Sequence, residues 1–182
     1  MKQIKVWNEM LLSALFAFYM YVLFKVILFK FSSIDLPFLW HQLERNIENP
    51  AHIQNRLELA NFTPFVTISN NIQSLSSSHD LVNLFGNIAV FMPYGMFLVL
   101  IWWHKKITLY GALLRSVGLS LCLESLQLVL SMGSFDVDDL ILNGLGGLLG
   151  YAILTLCLAC KSIILRIFES QPMSFSKEGN IN

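Results

Sequence analysis

Leu81 to Trp103 reads LVNLFGNIAVFMPYGMFLVLIWW, an apolar run without one Asp, Glu, Lys or Arg. About 20 such residues in a helix cross a bilayer core, so this stretch reads as a membrane span and decides the fold class. Three further apolar runs extend the pattern: Met10–Phe31, Ile107–Leu130 and Leu140–Ile163. The first is longer than a signal-peptide core and shows no small-residue cleavage pattern before Pro37, so it reads as a retained span. Only His104-Lys105-Lys106 and Ser131–Asp139 join the last three runs, which predicts a compact antiparallel group. The expected fold is an all-α integral membrane protein, a four-helix transmembrane bundle with one long external loop.

Composition agrees. Of 182 residues 55% are hydrophobic and 13% charged, against about 25% charged in a typical soluble domain. So much apolar material excludes a disordered chain. Twelve basic and twelve acidic residues cancel, which leaves no net positive field for nucleic acid. Cys122, Cys157 and Cys160 are odd in number and lie in apolar runs, so a disulfide scaffold is excluded too. Cys157 and Cys160 form a C-x-x-C, but a reactive thiol needs an electropositive, partly exposed site. Among Leu, Ala and Ile these cysteines read as small hydrophobes.

Basic residues set the orientation. Lys2, Lys5, Lys105, Lys106, Lys161, Arg166 and Lys177 fall on one side of the spans, and only Lys30, Arg45 and Arg56 on the other. By the positive-inside rule both termini are cytoplasmic. The chain then divides into residues 1–31 (tail and first span), 32–80 (extracytoplasmic loop), 81–163 (three-span core) and 164–182 (cytoplasmic tail). The loop is too short for an independent domain. His41–Ile47 and His52–Leu59 read as short helices, Asn61–Ile68 as an extended or re-entrant stretch, and Ser74–Ser78 as a flexible polar turn. His41, His52 and His79 share the loop without metal-ligand spacing.

The informative side chains are those that are costly in lipid. Asn83 and Asn87 are four apart on the second span, and Glu124 and Gln127 three apart on the third. Asp139 and Asn143 are four apart at the start of the fourth, just after Asp136. Each pair shares a helical face, and all lie toward the outer ends of their spans. Ionisable residues inside a membrane are functional candidates, facing a partner or a water-filled cavity. Amides that only bond one another across helices would be glue, but several carboxylates together repel one another unless protonated or paired. Arg56 is the cation expected to pair with them, and Arg115 and Lys25 are expected to snorkel to the nearer faces. Gly146 and Gly150 have the G-x-x-x-G spacing that permits close helix approach.

Four stretches resemble the VanZ-like family of bacterial membrane proteins: NFTPFVTI (Asn61–Ile68), NLFGNIAVFMPYG (Asn83–Gly95), ESLQ (Glu124–Gln127) and FDVDDLILNGLGGLLGY (Phe135–Tyr151). They run in family order and cover about residues 56–151, leaving out the first span and the tail. The resemblance implies a multi-pass protein of the bacterial cell envelope, in the plasma membrane, in a setting of glycopeptide (teicoplanin) resistance. It adds Asn61 to the candidate residues. Two departures stand out: Ser131-Met132-Gly133-Ser134 where many members carry an Arg, and Asn143-Gly144 where many carry Asn-Thr. The missing Arg places more weight on Arg56.

The expected site is therefore an outward-facing polar pocket of Arg56, Asn61, Asn83, Asn87, Glu124, Gln127, Asp136, Asp139 and Asn143. Its expected partner is a membrane lipid, a lipid-linked wall precursor or a glycopeptide's lipid anchor, and no nucleic acid. No catalytic residue, metal or cofactor is assigned. The alternative is a membrane-embedded enzyme using the Glu/Asp cluster, in which Asp136, Asp138, Asp139 and Asn143 would offer oxygens to Mg²⁺ or Ca²⁺. No nucleophile–His pair and no HExxH supports that alternative. A transporter is disfavoured, since four spans show no internal repeat.

Overall fold

The computed structural model describes residues 2–29, 35–73, 78–102 and 107–169. Helix α1 is Lys2–Phe29, α2 Leu36–Glu48, α3 Ala51–Glu58, α4 Val66–Gln73, α5 Ser78–Ile101, α6 Leu109–Val129 and α7 Val137–Glu169. Four of these are long and apolar enough to cross a membrane: Trp7–Phe29, Asn83–Ile101, Leu109–Val129 and Val137–Arg166. The fold is a helical membrane bundle, as the apolar runs predict.

Span boundaries move in physically legible ways. The fourth span opens at Val137 rather than Leu140, so Asp138 and Asp139 lie in its first turn. Carboxylates are favourable there because the helix N-terminus carries partial positive charge. In α6, Thr108 caps the helix by accepting from the Gly111 amide at 3.0 Å. The other end closes with Ser131 at φ 56, the Met132 amide bonding the Gln127 carbonyl and the Ser131 amide the Leu128 carbonyl. That is a Schellman ending, built on Ser where Gly is usual.

Among the described residues the long connection holds three helices where two are expected. Asp35 caps α2 through the Phe38 amide, with Pro37 in the first turn. The expected extended stretch ends at Phe65, and Val66 starts α4. The turn at His104–Lys106, the run 74–77, Lys30 and Lys177 lie outside the described residues.

Alternating spans make α5 and α7 parallel, and this pair makes the most extensive contact in the molecule. The register shows the direction: Gly146 lies against the Ile88 carbonyl and Gly150 against that of Met92, while Gly95 lies against Gly147. A Cβ at any of the three would fall deep inside van der Waals contact with backbone. The glycine spacing thus does what it permits. The antiparallel helix α6 packs on the other side of α7, with Ser116 against Gly147 and Val117 against Gly144. Helix α1 completes the bundle: Leu23 and Leu28 pack with Phe91 and Leu123. The Tyr19 hydroxyl also donates to the Val90 carbonyl at 2.8 Å, near the break that Pro93 makes in the α5 ladder.

Arg115 reaches back along α6 to the Gly111 carbonyl and lies over the Trp102 ring at 5.7 Å. All three cysteines are free and exposed, so they face away from the bundle.

Candidate functional site

The segment Phe135–Asp139 is where the bundle and the loop meet. The Asn61 amide bonds the Phe135 carbonyl, and the Val137 amide bonds the Asn61 carbonyl, both at 2.9 Å. One residue of the loop is thereby strapped to the start of α7, and Phe62 stacks on Phe135 at 5.4 Å. Three carboxylates of the segment then have separate tasks.

Asp136 takes the Asn61 side-chain amide at 2.9 Å, the Thr67 hydroxyl at 2.7 Å and its neighbour's backbone at Asp138 at 2.9 Å. Its own amide donates to Glu124 Oε2 at 3.2 Å, which ties the junction to α6. Asp138, 0% exposed, receives the Phe65 amide at 2.6 Å and the Ile68 amide at 3.0 Å. It therefore caps α4 from a different helix, supplying negative charge and acceptors to an end with free N–H groups. Phe65, which gives the shorter of the two bonds, stands at φ 70. Asp139 receives the Asn87 side chain at 2.6 Å and so joins α5 to α7.

One turn further along α7, Asn143 is 2% exposed and donates to the Ser120 hydroxyl of α6 at 2.9 Å. Ser120 and Glu124 share a face of α6, and Glu124 is also 2% exposed. A polar seam therefore runs Asn87–Asp139–Asn143–Ser120–Glu124–Asp136–Asn61, crossing three spans and the loop.

The expected residues divide accordingly. Asn61, Asn87, Glu124, Asp136, Asp139 and Asn143 come together in the seam. Gln127 is buried but turned to α1, donating to the Ile27 carbonyl at 2.8 Å. Asn83 is half-buried on α5, and among the described residues no hydrogen bond joins it to the seam. Arg56 gives its Nη1 to the Gly133 carbonyl at 2.9 Å, a backbone oxygen rather than the carboxylate partner expected of it. It thereby sets a guanidinium in the α6–α7 turn, the turn that lacks its own Arg.

The expected pocket leaves out Thr67, Ser120 and Asp138, the last named only in the enzyme alternative. Asp138 carries a signal, as the middle of three acids opening a helix. Thr67 and Ser120 carry none, because small hydroxyls are common everywhere. Among the described residues no three His, Cys, Asp or Glu side chains converge closely enough to hold a metal ion. The oxygens of Asp136 and Asp138 that could have served a cation are engaged by protein donors instead.

A family model described as VanZ/LLP1 matches residues 16–158. The chain belongs to the VanZ/LLP1 family. No curated protein and no solved structure matches it. The family match begins inside α1, so it reaches further than the motif resemblance over about 56–151. In that added stretch α1 contributes Leu23, Leu28 and Tyr19 to the core, and apolar core residues make no motif. Within the VanZ/LLP1 region the four motif stretches meet at one place. FDVDD is the hub, bonded to NFTPFVTI through Asn61, Phe65 and Ile68, to ESLQ through Glu124, and to the Asn87 stretch through Asp139.

Proposed function

We propose that this VanZ-like protein resides in the bacterial plasma membrane with both termini cytoplasmic. There it binds the polar head of an amphiphile at the outward end of the seam. The amphiphile is a membrane lipid, a lipid-linked wall precursor or a glycopeptide held by its lipid anchor. Binding the last would contribute to teicoplanin resistance. The observation that carries this reading is Asn143. Its Nδ2 is engaged by Ser120, while among the described residues its buried Oδ1 meets no donor. A buried acceptor without a donor is costly in a low-dielectric bundle, so it favours a ligand that brings an N–H or O–H. Asp139, one turn before Asn143 on α7, and its partner Asn87 are half-buried. The acids disfavour an unaccompanied phosphate, so the recognised part of the head is an ammonium, hydroxyl or amide group.

The enzyme alternative has one observation in its favour. Glu124 is buried and accepts from the Asp136 amide, and a carboxyl held out of water is a candidate for proton transfer. One experiment addresses both readings. Native mass spectrometry of the protein released from its own membranes should show a lipid-mass adduct. The adduct should be lost in Asn143→Ala and in Asp139→Asn, with the thermal unfolding of Asp139→Asn close to the parent's. An unadducted parent, or adducts equal in all three, refutes binding. Conversion of an added wall-precursor lipid, abolished by Glu124→Gln, would replace binding with catalysis.

A further inference from the structure

The connection between the first two spans carries more exposed apolar surface than a loop standing in water should. Successive positions of a helix turn by about 100°, so α2 has three sectors. Leu39, Leu43 and Asn46 face the bundle, where Asn46 Nδ2 bonds the Val129 carbonyl at 2.6 Å and the Ser131 hydroxyl at 3.0 Å. His41, Glu44, Arg45 and Glu48 occupy the far side, with His41 and Glu44 paired at 3.7 Å. Between them, on one flank, lie Leu36, Trp40 and Ile47, of which Trp40 is 65% and Ile47 70% exposed. A shallow, mostly apolar groove lined by Leu36, Pro37, Leu39, Trp40, His41, Leu43 and Leu130 runs along that flank.

We propose that α2 lies in the bilayer interface, its Leu36/Trp40/Ile47 flank sunk among the acyl chains of the adjacent leaflet and its charged side in water. Depth is what commits the occupant to lipid. The Asn46 bonds hold α2 on the last turn of α6, a membrane span, and Leu130 continues that span's apolar surface into the groove. The flank is therefore continuous with the membrane-facing surface of the bundle. A second exposed patch, Leu59, Phe62 and Phe65, is held at the same end of the molecule by the Asn61 strap to α7. An apolar flank set between a bundle-facing side and a charged side is the pattern of an interfacial helix, and Trp is enriched at that depth. The lateral approach to the Asp139–Asn143 end of the seam is then through headgroups, not through open solvent. This inference does not rest on the ligand reading, and either can fail alone.

The full chain in vesicles of phosphatidylcholine and phosphatidylglycerol tests it. Trp7→Phe, Trp102→Phe and Trp103→Phe together leave Trp40 as the reporter. Nitroxide lipids labelled near the glycerol level should quench its emission strongly. Iodide quenching should fall to less than about a third of that of free tryptophan. Iodide quenching equal to that of free tryptophan overturns the proposal. So does nitroxide quenching that disappears at high protein-to-lipid ratio, since a second copy would then cover the flank. A second pair guards against misfolding of the triple variant: Ile47→Cys and Glu48→Cys in a cysteine-free chain, each carrying a polarity-sensitive dye. A blue-shifted dye at 47 beside a water-exposed dye at 48 supports the interface, and equal spectra refute it.

Discussion

Helix α7 uses two unlike ways of holding to its neighbours, a few residues apart. From Val137 to Asn143 it is joined by directed bonds: Asp138 to the α4 amides, Asp139 to Asn87, Asn143 to Ser120. From Gly144 to Gly150 it is joined through missing side chains, with backbone set against backbone of α5 and against Ser116 of α6. In lipid, apolar burial gives helices little reason to prefer each other over acyl chains. Close packing and hydrogen bonds must supply the cohesion. The bonded region also fixes register and docks the loop, because its partners are specific atoms. The glycine region supplies contact and no chemistry. Their tolerance of change should therefore be opposite: the junction accepts a change that keeps shape and donors, and the glycines accept nothing larger.

The largest effect is expected where an added side chain meets backbone. Gly150→Leu would drive its Cβ into the Met92 carbonyl, which cannot move without parting α5 from α7. Overpacking of this kind should cost about 3 kcal/mol or more, on the order of 10 °C in thermal unfolding in detergent. Gly118→Ala is the contrast, since a Cβ there meets nothing within 4 Å. It should be neutral, or raise stability by about 0.5–1 kcal/mol through helix propensity. Equal losses in the two variants would mean that close approach is not what holds α7.

A middle-sized effect belongs to Asp138. Asp138→Asn removes one of two acceptor oxygens and the charge at the start of α4, which should cost about 1–3 kcal/mol. The loss should be local. Hydrogen exchange at the Phe65 and Ile68 amides should accelerate while the amides of α5 and α7 keep their protection. If the α5 and α7 amides loosen equally, the junction and the glycine region form one cooperative unit and the division between them is wrong.

How much of this was legible follows from what pattern reading can register. The spans were plain, since about 20 apolar residues have few other uses, and the Gly146–Gly150 spacing announced the close contact. The faces of Asn87, Glu124, Asp139 and Asn143 could be read from helical spacing alone. The role of Arg56 could not, because a guanidinium bonds a backbone carbonyl as readily as a carboxylate and carbonyls leave no trace in sequence. Helix α4 escaped notice because its cap, Asp138, comes from 70 residues further on, at the Ile68 bond. The place of α1 was hidden for the same reason: Leu23 and Leu28 look like any lipid-facing leucines until Phe91 and Leu123 are set against them.

The smallest expected change in stability is the most informative about the seam. Glu124→Gln keeps the size of the side chain and an oxygen for the Asp136 amide, and it removes a charge buried to 2% exposure. A buried charge costs more to hold than an amide, so thermal unfolding should stay within about 3 °C of the parent or rise, roughly 1 kcal/mol or less at this chain length. If the seam only fastens helices, nothing else should change. If its carboxylates recognise a donor-bearing head, the lipid adduct should disappear, and in a strain depending on this protein, growth at graded teicoplanin should fall to the deletion level. Asp139→Asn and the double variant then complete a cycle. Two acids acting on one ligand give losses that do not add, so the double variant should be no worse than either single one. Additive losses would place the two carboxylates in separate tasks, and an early-unfolding Glu124→Gln would return the seam to the same purely cohesive role as the glycines beside it.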